Sequence, residues 1–191
     1  MNSRLPFRGW PLAFVLLGAC VSNAGNTPGP APACDGPCQD AIALRAVREA
    51  MKTAYNRMLT GNDAGPQDET SPCPLGGQIH VFGSATSNAA QGATRVSLSY
   101  VFDRCKFASV DTEPTRNYSV TLTGTIAEDG TLAVQPTATT SLILKSDALD
   151  VAGSVGVPAV DYSAAACALA IGQNGNQLSG TLCGRVAGVT L

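Results

Sequence analysis

Beyond Gly76 the chain shows one hydrophobic period, that of a strand, and before Gly76 one stretch with the period of a helix. A chain divided in this way has few routes to a core. A one-sided sheet needs a cover, and a single amphipathic helix is there to supply it. The helix is expected over residues 39–60, where Leu44, Val47, Met51, Tyr55 and Met58 recur at three- and four-residue spacing and Ala54 and Leu59 widen the stripe. Arg45, Arg48, Glu49, Lys52 and Arg57 fall off the stripe, and Gly61 is expected to end the helix. The stripe is expected to pack on the domain's own sheet; a groove or partner surface is the alternative.

Gly61 to Pro74 reads as a polar loop, and the strands are expected within residues 77–187. Ile79, Val81, Gly83 and Ala85 alternate with polar residues, as do Val96, Leu98, Tyr100 and Phe102, and Tyr118, Val120, Leu122, Gly124 and Ile126. Glu128-Asp129-Gly130 and Gln173-Asn174-Gly175-Asn176 carry hairpin chemistry, because Gly and Asn accept positive φ. Further strands are expected over 132–145, with Pro136 marking a bulge or edge, over 149–157, where Leu149, Val151, Val155 and Val157 share a face, and over 164–171 and 178–186. The fold class is therefore α+β: one N-terminal amphipathic helix packed on a curved antiparallel meander of about seven strands, curved enough for a partial barrel. A two-layer β-sandwich is the alternative.

Seven cysteines stand at 20, 34, 38, 73, 105, 167 and 183. Setting Cys20 aside leaves six, an even number suited to an oxidising compartment. Hairpin geometry suggests their partners. Cys167 and Cys183 are equidistant from Gly175, Cys73 and Cys105 bracket the hairpin around Asn88 to Gly92, and Cys34 and Cys38 are near enough to bridge locally. Strict alternation sets Cys167 with Leu169 and Ile171 but Cys183 with Ser179 and Thr181, so that pair requires a bulge or an odd-length loop.

Cys20 is set aside because of what precedes it. Arg4 and Arg8 form a positive n-region, Trp10 to Leu17 an apolar run too short to span a bilayer, and Leu17-Gly18-Ala19-Cys20 follows. This resembles the lipobox of a bacterial lipoprotein precursor. The resemblance covers the first twenty residues and implies that Cys20 takes diacylglycerol on its thiol, that signal peptidase II removes residues 1–19, and that an acyl chain such as palmitate is then added to the new amine. A thiol is required because it is nucleophilic enough to accept the lipid. The alternative is an ordinary secretory signal cut after Ala24. Val21 rather than Asp after Cys20 implies, by the enterobacterial sorting pattern, the outer membrane facing periplasm or cell surface. Residues 20–33 then form the lipidated Cys and a Gly/Pro/Ala-rich tether, with Pro28, Pro30 and Pro32 alternating, and residues 34–191 one disulfide-stapled globular domain. At a polyproline II rise of about 3.1 Å per residue, the tether reaches roughly 40 Å.

Once Arg4 and Arg8 leave with the signal, ten Lys and Arg face fourteen Asp and Glu, and no basic cluster remains to neutralise phosphates. No nucleic-acid partner is expected. His80, the only histidine, lies in the first expected strand without a nucleophile elbow, and reads as a solvent-facing or hydrogen-bonded strand residue. Cys34 and Cys38 have C-x3-C spacing rather than the redox C-x-x-C, and Asp63, Asp147 and Asp150 are isolated acids. No catalytic residue, metal ligand or cofactor is expected. The expected function is a membrane-anchored envelope lipoprotein with a non-catalytic structural or binding role. One alternative is a carrier of lipid or another apolar ligand, similar in element order to lipoprotein-sorting proteins whose curved sheets enclose a helix and a cavity. The other is a hydrolase in which Ser or Asp side chains converge with His80.

Overall fold

The protein is described by a computed structural model covering residues 34–59 and 64–191. The expected signal segment, Cys20, the tether and the Gly61 helix stop lie outside the described residues. The helix, α1 (Gly36–Leu59), begins three residues earlier than its apolar period suggests. The cause is local: the Cys38 backbone N–H donates to Asp35 Oδ1 at 3.1 Å, making Asp35 the N-cap, and Pro37 suits the first turn because its missing N–H would have no helical partner there.

Eight strands follow: β1 (Gly65–Pro72), β2 (Gln78–Asn88), β3 (Ala93–Ser109), β4 (Tyr118–Ala133), β5 (Ser141–Val155), β6 (Val160–Asn174), β7 (Gln177–Leu182) and β8 (Arg185–Thr190). All belong to one antiparallel sheet in chain order. The α+β reading therefore holds, and a two-sheet sandwich does not describe the arrangement. The sheet is open, with β1 and β8 at its edges, and both edges as well as β3, β4 and β5 touch α1. Strands from edge to edge reach one helix only if the sheet bends around it. From Ile42 to Met51 every helix residue except Glu49 is buried. A helix lying on a flat sheet would bury one stripe; here Arg45 and Arg48, expected on the solvent side, are buried as well.

The strand count differs from seven for identifiable reasons. Gly65–Pro72, expected to be loop, pairs with β2 from Gly65↔Ala85 to Pro72↔Gln78. Its composition reads as loop because it is an edge strand, where polar residues and proline deter further pairing. Glu128-Asp129-Gly130 makes no turn: β4 runs through it to Ala133. Gly130 has φ 138° and pairs with both Val96 and Leu142, and a Cβ at that position would collide with the Ser141 carbonyl. The expected strand over 132–145 is thus divided between the end of β4, a connection containing Pro136, and the start of β5. The expected strand over 149–157 is the second half of β5, which leaves Val157 exposed in the following turn. The expected last strand breaks at Cys183-Gly184, where both residues have positive φ (53° and 74°), as a two-residue type I′ hairpin requires. The turns at 88–92 and 175–176 lie where the sequence places them.

The six described cysteines stand in three pairs at disulfide distance: Cys34 with Cys38, Cys73 with Cys105 and Cys167 with Cys183, with Cα separations of 5.2, 5.5 and 4.6 Å. The parity conflict of the last pair is resolved because Cys183 sits in the β7–β8 turn, outside the alternation of Ser179 and Thr181. Separately, β6 bulges at Ala166 (φ 48°), so that Ala164 and Cys167 both face inward. Asp150 Oδ1 accepts the Ala166 N–H at 2.6 Å and holds the bulge. A bulge at Arg104 (φ 49°) turns Cys105 inward in the same manner. Replacing Cys167 and Cys183 together by alanine is expected to cost about 3 kcal/mol, the loop-closure entropy of a loop this size, read as a shift in the urea midpoint. A midpoint unchanged within error would show that the bridge contributes nothing.

Candidate functional site

Three groups of polar side chains meet around α1. The deepest centres on Glu128, whose place in β4 extends the inward parity of Tyr118, Val120, Leu122 and Ile126. Glu128 Oε2 accepts from the Tyr100 hydroxyl at 2.6 Å, and Arg48 Nη1 lies 3.8 Å from Oε1. Arg48 Nε donates to Gln173 Oε1 at 2.6 Å, while the Gln173 amide donates to the Gly175 carbonyl at 2.7 Å. Arg48, Glu128 and Gln173 are all buried, and Glu128 Oε1 has no hydrogen bond among the described residues. Burial raises the Glu128 pKa above the usual carboxylate range, opposed by the Arg48 charge and the Tyr100 hydrogen bond. The Tyr100 hydroxyl is pushed well up, first by burial and then by the neighbouring carboxylate.

The second group ties the start of α1 to the sheet. Asp40, 3% exposed, accepts a bidentate pair from Arg185 (Nε to Oδ2 2.7 Å, Nη2 to Oδ1 2.8 Å) and the Tyr162 hydroxyl at 2.7 Å. The Arg185 hydrogen bond lowers the Asp40 pKa, burial opposes it, and Tyr162 adds to the lowering. A carboxylate with a depressed folded pKa stabilises the fold above its unfolded value of 3.8, and that contribution disappears as pH falls through this value towards the folded one. Asp40→Asn is therefore expected to melt lower at neutral pH, by about 1–2 kcal/mol of stability. It should also lose less than wild type on acidification. Parallel acid melting curves for the two proteins would contradict this.

The third group lines an open cleft of about 230 Å³ between α1, the end of β8 and the β3–β4 connection. Arg45 lies at its base, one terminal nitrogen donating to the Thr190 carbonyl, while its buried Nε has no partner among the described residues. Arg116 stands on the opposite wall, 2.9 Å from Glu113 and 3.9 Å from Asp111. Glu49, Ser109, Tyr118 and Leu191 complete the lining, and burial followed by the Glu49 charge raises the Tyr118 pKa. With cationic and anionic groups facing one opening, the cleft suits a polar group of a partner that carries both donors and acceptors.

His80 lies apart from all three groups. Its Nε2 is 2.6 Å from Asp68 Oδ1 across the β1–β2 pair, on the outer face, with the Phe82 ring 5.2 Å away. The Asp68 side chain is 83% exposed. Among the described residues no group of three or more His, Cys, Asp or Glu side chains converges as metal ligands would, and no helix is long and apolar enough to cross a membrane.

The sequence reading did not foresee Asp40, Arg45, Arg48, Glu128, Tyr162, Gln173 or Arg185 as interacting groups. For Glu128 a signal was present, since its parity is that of Ile126 and Leu122; the turn chemistry of the neighbouring Asp129-Gly130 concealed it. Arg48 likewise follows Leu44 by four residues and precedes Met51 by three, inside the arc its charge appeared to exclude it from. No protein-family model, no curated protein and no solved structure matches this chain.

Proposed function

We propose that the protein is a lipid-anchored lipoprotein of the bacterial cell envelope, with a non-catalytic binding or structural role, held to the membrane through Cys20. The observation that carries this reading is the cysteine pairing. Six of seven cysteines lie in pairs at disulfide distance, as suits an exported domain, so that Cys20, at the end of the apolar leader, is the odd one. The pairing also supports the expected connectivity of the three bridges.

A binding role draws further support from the polar cleft at Arg45 and Arg116. It is favoured over an apolar-ligand carrier because the concave side of the sheet is packed against α1, whose Leu44, Val47 and Met51 have no exposed surface. It is favoured over a hydrolase because His80 and Asp68 sit on the outer face, exposed to solvent. In a Gram-negative host, the full chain should partition into detergent and yield an N-terminal peptide carrying diacylglycerol and an acyl chain on Cys20. Cys20→Ser should remain uncleaved or appear in the soluble fraction, because two or three chains at about 0.8 kcal/mol per buried CH₂ account for stable anchoring. Wild type that is wholly soluble and begins after Ala24 would overturn the reading.

A further inference from the structure

Four hairpin connections lie at one end of the sheet: 73–77 between β1 and β2, 110–117 between β3 and β4, 156–159 between β5 and β6, and 183–184 between β7 and β8. Backbone hydrogen bonds join neighbours along this rim, Leu75 N–H to the Lys106 carbonyl at 3.2 Å and Gly156 N–H to the Asn117 carbonyl at 2.8 Å. On or beside each connection is an exposed aliphatic side chain: Leu75 at 58%, Val110 at 93%, Val157 at 57% and Val186 at 86%. Singly these would need no explanation. Together they make up four of the seven large apolar side chains the described residues expose, one per connection of the same rim.

The start of the described chain lies at this rim. A Cβ on Gly156, next to Val157, would sit 3.8 Å from Cys34 Cβ, and Arg185, next to Val186, grips Asp40 near the start of α1. Only thirteen residues, 21–33, separate Cys34 from Cys20. A segment of that length spans at most about 45 Å even when fully extended, and tethers this short give effective concentrations on the order of millimolar. A surface that binds a membrane weakly but measurably by itself is therefore reinforced here. The rim's acids are also largely answered within the protein: Arg104 pairs with Asp103, Arg116 with Asp111 and Glu113, and Arg185 with Asp40, while Asp35 caps α1. Anionic headgroups would meet aliphatic side chains with few unanswered carboxylates among them.

We infer that this rim is a lipid-docking surface, and that Leu75, Val110, Val157 and Val186 enter the outer part of the bilayer and orient the domain with α1's N-terminus towards the membrane. The inference rests on the lipoprotein reading for its biological setting, but its test does not require lipid on Cys20. The chain from residue 20 carrying Cys20→Ser would be floated with phosphatidylethanolamine/phosphatidylglycerol vesicles, alongside the same chain with Leu75→Ser, Val110→Ser, Val157→Ser and Val186→Thr. The first should bind weakly but measurably, and the fourfold variant should bind about tenfold less or lower, with an unchanged melting temperature showing that it is folded. Val134→Ser with Ile143→Ser, two exposed apolar residues away from the rim, should bind as the unsubstituted rim does. No vesicle binding by the first chain, or an equal loss in the Val134/Ile143 control, would overturn the inference whatever mass spectrometry reports for Cys20. An unlipidated Cys20 in cells would overturn the anchor and leave the rim result standing.

Discussion

Met51→Asp should unfold the domain or lower its stability by more than about 4 kcal/mol, most of what a typical domain possesses. Met51 has no exposed surface, and it lies in the part of α1 where the sheet encloses the helix. A carboxylate placed there would have neither water nor a designated cation. Met51→Leu, of similar volume, should cost less than about 1.5 kcal/mol. Urea unfolding of the pair provides the check. If Met51→Asp melted like wild type, the helix would have to be exposed in solution, and the stripe would return to its alternative reading as a docking face.

Arg48→Met is expected to cost about 3–5 kcal/mol, because it leaves Glu128 buried with Tyr100 as its remaining described donor and deprives Gln173 Oε1 of its own. Adding Glu128→Gln should recover a sizeable part of the loss, since the double variant no longer buries a charge. The same logic predicts a pH dependence. Glu128 already has a raised pKa, and losing Arg48 raises it further, so the folded state binds its proton more tightly than the unfolded state does. Stability contributed by the protonated form is complete below the unfolded value of 4.5 and is lost as pH rises towards the folded one. The penalty of Arg48→Met should therefore be greater at about pH 7 than at about pH 4. A penalty independent of pH, with no recovery in the double variant, would mean that Arg48 acts only through the packing of its methylene stem.

Much of the architecture was legible because alternation and helical spacing are local properties of the chain. The helix, the faces of β2, β3 and the first half of β4, and the hairpins at 88–92 and 175–176 all follow from side chains a few residues apart. Two of the cysteine pairs were legible for a related reason, as hairpins bring equidistant residues together, and the third because Cys34 and Cys38 are four positions apart. Illegible were the features in which a local signal was overruled from a distance. Asp129-Gly130 has turn chemistry, yet it lies between β3 and β5, whose backbones supply partners on both sides. Gly65–Pro72 has loop composition, yet β2 offers it a free edge.

The polar groups mark the same division more sharply. By itself the sequence determined the class, one helix and a meandering antiparallel sheet, together with three cysteine pairs, because burial periodicity and cysteine spacing are written residue by residue. Only the tertiary structure decided that the sheet bends far enough to bury both sides of α1, and so that Asp40, Arg45 and Arg48 point into protein. Their partners stand 145 residues away for Arg185, the same distance for the Thr190 carbonyl, and 125 for Gln173. A charged side chain on a helix reads as solvent-facing unless a partner is known, and no local window of sequence contains partners so remote. The curvature that brings them together is a property of the whole sheet.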